Sequence, residues 1–178
     1  MQAEERIREL ISEEEIDTRV RALAAQISAD YEGRPLKLIC ILKGSVFFTS
    51  ELAKRITVPV LFDFMQVSSY GASTKSSGVV KIIKDLDEPI EGQDILVIED
   101  VVDSGNTLSY LLQNLSHRHP ASIKLCTLLD KPSRRVKEVQ VDYTGFQIPD
   151  EFVVGYGLDY AQKYRNLPYI GILSFEGE

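Results

Sequence analysis

The residues best equipped for chemistry stand together in one stretch, Ile95-Leu96-Val97-Ile98-Glu99-Asp100-Val101-Val102-Asp103-Ser104-Gly105-Asn106-Thr107-Leu108. The hydroxyls of Ser104 and Thr107 are donors, and Gly105 lets the backbone come close to a ligand. If the segment opens a helix, the N–H groups from Asp103 to Thr107, that of Asn106 among them, are free, with the positive end of the helix dipole behind them. That is a pocket for one phosphate. Glu99, Asp100 and Asp103 cannot face the same anion, because like charges repel. Hydroxyls of a sugar, a magnesium ion, or a proton on a base are the alternatives for them. A loop that grips a phosphate and also presents acids points to a sugar phosphate. The competing explanation is an ordinary loop with an N-cap at Ser104 or Thr107.

Such residues need a scaffold. Ile95 to Ile98 reads as a strand buried on both faces, and Leu108 to Leu115 as a helix. In open α/β sheets, ligands bind at the carboxyl ends of strands, where a loop feeds a helix. Upstream, Ser12-Glu13-Glu14-Glu15 is a capping box. Behind it Ile16, Val20, Leu23, Ala24, Ile27 and Tyr31 make a helical stripe, so Ser12 to Tyr31 is predicted as a helix ending near Gly33. Lys37 to Leu42 reads as a strand, Ser45 to Arg55 as a helix, and Val58 to Ser68 and Val79 to Leu86 as strands. Ala121 to Leu129 is a strand and Val139 to Phe146 a weaker one. Phe152 to Tyr156 and Tyr169 to Leu173 close the chain. The alternation implies an α/β fold, with a mostly parallel central sheet flanked by helices. At 178 residues the chain is taken as one domain, 1–178.

Other segments could join the site. Leu42-Lys43-Gly44-Ser45 joins a buried strand to a helix N-terminus, which suits a second anion, although a plain tight turn explains it too. The small, polar run Ser68 to Gly78 cannot bury itself and should be mobile, either a lid near 69–78 or an exposed hairpin loop. Lys131 ends a strand at the active edge of such a sheet. Phe152 offers a flat face for stacking, and the Val153 backbone can read a ring edge. Asp159 could ligate magnesium. His117 and His119 read as surface residues.

Bulk properties narrow the classes. The net charge is −7, which argues against nonspecific nucleic-acid binding. An anionic ligand must then be met by helix N-termini, a few placed cations and divalent metal. No apolar run reaches membrane-spanning length, and the N-terminus lacks a signal-peptide core. Cys40 and Cys126 lie in apolar runs, so buried free thiols and a cytoplasmic setting are expected. Dinucleotide, P-loop and zinc motifs are absent.

Glu99-Asp100-Val101-Val102-Asp103-Ser104-Gly105-Asn106-Thr107-Leu108 resembles the phosphoribosyl-diphosphate motif of the type I phosphoribosyltransferases. Leu42-Lys43-Gly44, Ser69-Tyr70, Leu129-Asp130-Lys131 and the stretch from Pro149 to Pro168 narrow the resemblance to the hypoxanthine-guanine branch, over about residues 6 to 175. The resemblance implies the type I fold with a small hood formed by terminal segments, the hood segment lying near 150–170. It implies purine salvage, in which a 5-phosphoribosyl group passes to hypoxanthine or guanine with release of pyrophosphate. Asp103 would be the catalytic base at the purine N7. Glu99 and Asp100 would hold the ribose hydroxyls, and Ser104, Gly105, Asn106 and Thr107 the 5-phosphate. Lys43, Gly44, Ser69, Tyr70 and Arg165 would meet pyrophosphate. Lys131, Phe152 and Val153 would bind the purine. Mg2+ is the implied cofactor, with Asp159, Glu99 and Asp100 as its ligands. A cis peptide at Leu42-Lys43 is implied, as is a homodimer or homotetramer without nucleic-acid or membrane partners. Part of the apolar band on Ser45 to Arg55 would serve the subunit contact. The alternatives are a xanthine-guanine transferase, or a non-catalytic nucleotide- and RNA-binding regulator on the same fold.

Overall fold

Two neighbouring buried strands carry apolar side chains to both faces of a sheet, and the rest of the molecule is arranged on them. The computed structural model describes residues 4–69 and 80–175. In chain order its elements are β1 (Glu5–Ile11), α1 (Glu13–Asp30), β2 (Leu36–Ile41), α2 (Val46–Ala53), β3 (Val60–Ser69), β4 (Val80–Lys84), β5 (Asp94–Val102), α3 (Asn106–Ser116), β6 (Ser122–Asp130), a 3-10 turn (Pro132–Arg134), β7 (Tyr143–Gln147), β8 (Val153–Val154) and β9 (Ile170–Phe175). Leu36 and Leu38 of β2 join Leu96 and Ile98 of β5 in one core with Ile16, Val20, Leu23 and Ile27 of α1 and Phe48 and Leu52 of α2. The intervening residues, Ile39, Ile41, Ile95 and Val97, pack with Leu108, Leu111 and Leu115 of α3. That alternation has the period of two that a strand imposes, and it puts helices on both faces.

Among the described residues the larger sheet has the order β4-β3-β2-β5-β6-β7. It is parallel except for β4, which runs antiparallel to β3. From β2 the chain builds outward through β3 and β4, and from β5 it builds the other way through β6 and β7. The order therefore reverses between β2 and β5, and the loops leaving those two strands flank the crevice where such sheets bind ligands. A second sheet, β1-β9-β8, is antiparallel and made of terminal segments. It is the expected hood.

The capping box forms: Ser12 Oγ accepts from Glu15 N–H at 3.2 Å, and Ser12 N–H donates to Glu15 Oε2 at 2.8 Å. Some boundaries differ from expectation. The predicted strand Val139 to Phe146 pairs with β6 only from Tyr143 onward. Val139 and Val141 pack against the core without joining the ladder, and apolar periodicity alone cannot separate those outcomes. The predicted strand Phe152 to Tyr156 shrinks to Val153–Val154, because Gly155 (φ 96) and Tyr156 (φ 49) turn the chain away. Helix α3 begins at Asn106 rather than Leu108. Strand β1 was not foreseen; its charged residues gave no clean pattern. Cys40 and Cys126 are buried and unpaired, as expected. No helix among the described residues is long and apolar enough to cross a membrane.

Candidate active site

The loop after β5 is built to leave backbone donors open. Gly105 occupies the N-cap of α3 with φ 84, and no side chain caps the helix. This excludes Ser104 or Thr107 as the N-cap. The Ser104 carbonyl accepts two N–H groups, from Val136 at 2.9 Å and Lys137 at 3.0 Å, so the loop is pinned from behind. Its Oγ lies 3.4 Å from the Asn106 N–H. A cleft of about 190 Å³ opens there, lined by Glu99, Asp103, Ser104, Gly105 and Thr107 over an apolar floor that includes Val67 and Leu108. Uncapped N–H groups, two hydroxyls and the helix dipole together suit a phosphate group.

Glu99 and Asp100 lie half-buried near the carboxyl end of β5. Burial first, then the charge and hydrogen bonding of Asp100, push the Glu99 carboxyl well above the usual carboxylate range. Burial also raises Asp100, partly offset by the Val101 N–H, which donates to Asp100 Oδ1 at 2.7 Å. A cation or hydroxyl donors brought to these two buried carboxyls would offset the cost of their burial, so a ligand carrying such groups is matched to them.

The loop after β2 meets these acids directly. A Cβ added at Gly44 would lie 1.7 Å from Asp100 Oδ2, so any larger residue there would have to displace the Asp100 carboxyl. The Leu42-Lys43 peptide is cis. A Cβ at Gly157 would lie 2.1 Å from the Gly44 carbonyl oxygen, which ties the hood to this loop. Arg165 donates to the Gly157 carbonyl at 2.7 Å and pairs with Asp159 at 3.0 Å. Asp159 Oδ2 also accepts from Gln162 N–H at 2.8 Å, and Lys43 Nζ lies 3.4 Å from Gln162 Oε1. Lys43, Gly44, Asp100, Asp159 and Arg165 are thus brought into one neighbourhood.

The three expected metal ligands do not form a cage. Among the described residues no group of three or more His, Cys, Asp or Glu could hold a metal ion. Asp159 spends its oxygens on Arg165 and on the Gln162 N–H, apart from the Glu99–Asp100 pair. The donor set still fits magnesium, which binds through one or two carboxylates and takes its remaining oxygens from water and substrate phosphates.

Lys131, Phe152 and Val153 form the third part. Lys131 is buried, 8% exposed, and its ammonium donates to the Glu151 carbonyl at 2.7 Å, leaving two N–H groups for a ligand. Phe152 is 52% exposed, with Tyr160 edge-on to it at 5.8 Å. Leu173 N–H donates to the Phe152 carbonyl at 2.9 Å. Ladder bonds in an antiparallel pair fall on alternate residues, so the Val153 N–H and C=O face the open edge of β8. A flat apolar face, an edge with a donor and an acceptor, and a buried cation together suit a planar heterocycle bearing a carbonyl. Ser69 ends β3, whereas Tyr70 and the remainder of the expected lid lie outside the described residues.

A phosphoribosyl transferase domain matches residues 9–161. The chain belongs to the phosphoribosyl transferase family. Among related proteins of this family, the hypoxanthine-guanine phosphoribosyltransferase of Bacillus subtilis is 56% identical over 92% of this chain and 91% of its own length. The bifunctional protein TilS/HprT of Listeria monocytogenes is 55% identical over 94% of this chain, which spans only 26% of that longer protein. Among solved structures, a hypoxanthine-guanine phosphoribosyltransferase from Bacillus anthracis superposes with a TM-score of 0.91 at 47% identity, covering 95% of this chain and 100% of that one. A hypoxanthine phosphoribosyltransferase from Staphylococcus aureus gives 0.91 at 50% identity, covering 94% and 91%.

The structure also brings to this neighbourhood residues that sequence reasoning passed over. Asp103, the expected base, is paired with Arg134, whose Nε donates to Asp103 Oδ1 at 3.0 Å. Arg135 donates to the Asp103 carbonyl at 3.2 Å and forms a short ion pair with Asp130. Both arginines sit on or beside the 3-10 turn that follows Lys131. Pro132 directly after that lysine was the one available signal for a turn there. Gly157 and Gln162 were also missed, since each matters through a contact distant in sequence.

Proposed function

We propose that this protein transfers a 5-phosphoribosyl group from phosphoribosyl diphosphate to a 6-oxopurine, hypoxanthine or guanine, in purine salvage. The reading is supported by three features gathered around the end of β5: uncapped donors for phosphate, paired acids, and a planar base site whose buried cation, Lys131, is tied to the Val102 carbonyl by its backbone N–H. The purine stacks on Phe152, Lys131 donates to its 6-oxygen, and the Val153 backbone reads its edge. Ser104, Gly105, Asn106 and Thr107 hold the 5-phosphate, and Glu99 and Asp100 accept from the ribose hydroxyls. Lys43, Gly44 and Arg165 receive the pyrophosphate, joined by Ser69 and Tyr70. Asp103 takes the N7 proton as N9 bonds to the anomeric carbon, and the carbon–oxygen bond to pyrophosphate breaks, its electron pair leaving on pyrophosphate. The Asp103 carboxylate also opposes the positive charge that develops on the sugar. Magnesium, held through Glu99, Asp100 or Asp159 and the substrate oxygens, would offset the charge of the leaving diphosphate.

The working form is a homodimer or homotetramer. Phe48 and Leu52 of α2 are core residues, whereas Phe47 on the same helix is 44% exposed, which leaves apolar surface for a subunit contact. The cytoplasm is the setting, favoured by two unpaired thiols. The test is to incubate the protein with phosphoribosyl diphosphate, hypoxanthine and Mg2+ and to follow nucleotide and pyrophosphate. Equal amounts of both should form, and excess chelator should stop the reaction reversibly. Absence of nucleotide, or full activity in chelator, overturns the reading.

A further inference from the structure

The Asp103 carboxylate has one hydrogen-bonding partner among the described residues, and it comes from a turn outside the expected motif. Lys131 N–H bonds to the Val102 carbonyl at 3.0 Å, which ties the start of the turn to the end of β5. The Arg134 N–H bonds to the Lys131 carbonyl at 3.1 Å and the Arg135 N–H to the Pro132 carbonyl at 3.2 Å, and the N–H groups of Val136 and Lys137 then reach back to the Ser104 carbonyl. Arg135, only 14% exposed, pairs with Asp130 and donates to the Asp103 carbonyl. Arg135 therefore anchors the turn. Arg134, 51% exposed, is free of that duty. Its guanidinium meets Asp103 Oδ1 at 3.0 Å and Asp150 Oδ2 at 3.3 Å. Asp150 stands two residues before Phe152.

We propose that Arg134 is a positioning residue for Asp103: it holds the carboxylate in one orientation for proton transfer and links the phosphate loop to the hood segment beside the base site. The proposal rests on the reading of Asp103 as the base. A carboxylate at a loop end has several rotamers, and its proton transfer requires one of them. A guanidinium whose turn is clamped to the same loop on both sides, at Lys131 and at Val136–Lys137, selects among them. The ion pair is exposed, so it is weak and adds little to folding. Its consequence lies in the rate.

The test is a double-mutant cycle on the full-length protein with hypoxanthine as acceptor. Arg134→Met should lower kcat by about tenfold (~1.4 kcal/mol), with KM for phosphoribosyl diphosphate within about twofold. Arg134→Lys should recover most of the rate. In the Asp103→Asn background, Arg134→Met should cost nothing more, because a residue acting through Asp103 has nothing left to position. Arg135→Met serves as the structural control and should lower the melting temperature, whereas Arg134→Met should not. If the two losses add, if Arg134→Met keeps wild-type kcat, or if it raises KM alone, the positioning role falls while the base assignment stands. If Asp103→Asn itself turns over at the wild-type rate, the base assignment falls and takes the positioning role with it.

Discussion

Gly105→Ala tests whether the phosphate loop depends on a close backbone approach. Gly105 has φ 84, a region that costs an L-residue ~1–2 kcal/mol. The added methyl would also sit 2.3 Å from the Lys137 carbonyl oxygen, 3.1 Å from Val139 Cγ2 and 3.2 Å from Arg135 Cδ. The first of these is backbone and cannot swing aside, so the Val136–Lys137 segment must retreat. That loosens the two N–H bonds to the Ser104 carbonyl, each worth ~1 kcal/mol. Together the conformational and contact costs come to roughly 3–4 kcal/mol. For a domain of this size that is a fall in melting temperature of roughly 6–16 °C. Gly33→Ala is the matched control: its φ is 75, with nothing within 4 Å of an added Cβ, so only the conformational cost applies. Thermal melts of both variants, beside steady-state kinetics, separate the two contributions. Gly105→Ala should lose several degrees more than Gly33→Ala. A shift of about 1 Å in the loop should weaken kcat/KM for phosphoribosyl diphosphate by up to about 10²-fold. Equal melting temperatures with unchanged kinetics would refute the close-approach argument.

Asp103→Asn should keep its melting temperature and lose about two to four orders of magnitude in kcat, as removal of a general base does; wild-type turnover would exclude Asp103 from that role. Glu99→Gln should stabilise the free protein while impairing turnover. Because the Glu99 carboxyl is raised in the fold, the folded state binds more protons than the unfolded chain above the ordinary value of 4.5. Glu99 therefore costs nothing below that pH and costs progressively more as pH rises through the raised value. The melting-temperature advantage of Glu99→Gln should accordingly widen from pH 4 to pH 8, and an advantage that narrows would contradict the burial argument. Lys131→Ala should weaken 6-oxopurines and narrow their lead over adenine, read as the ratio of kcat/KM values; an unchanged ratio would remove Lys131 from base reading.

Much of this was legible in the sequence where function follows from local pattern. The run Ile95 to Thr107 dictates a buried strand, a donor-rich turn and a helix start, and all three are present. The capping box at Ser12 and the stripe from Ile16 to Ile27 set α1 in the same way. What the sequence concealed depends on contacts between distant segments. Gly157 matters because it lies against Gly44, and Arg134 matters because its turn is clamped onto Ser104. Neither dependence leaves a periodic trace. The short β8 was overread because Gly155 and Tyr156 turn within an apolar run, and β1 was unread because its apolar residues are interleaved with charge. Asp159 was expected as a metal ligand, and only the fold places Arg165 and the Gln162 N–H on its oxygens.

The central claim is that the site recognises a 6-oxopurine and joins it to a phosphoribosyl group. The most direct measurement is a competition among hypoxanthine, guanine, xanthine and adenine for limiting phosphoribosyl diphosphate with Mg2+, each nucleotide being quantified by mass. A buried lysine donating to the 6-oxygen would meet a donor amine in adenine, and the N–H groups not taken by the Glu151 carbonyl would go unpaired. Hypoxanthine and guanine should therefore be converted and adenine left untouched, with pyrophosphate equal to the summed nucleotide. Adenine consumed as readily as hypoxanthine, or no nucleotide from any of the four, would contradict the account.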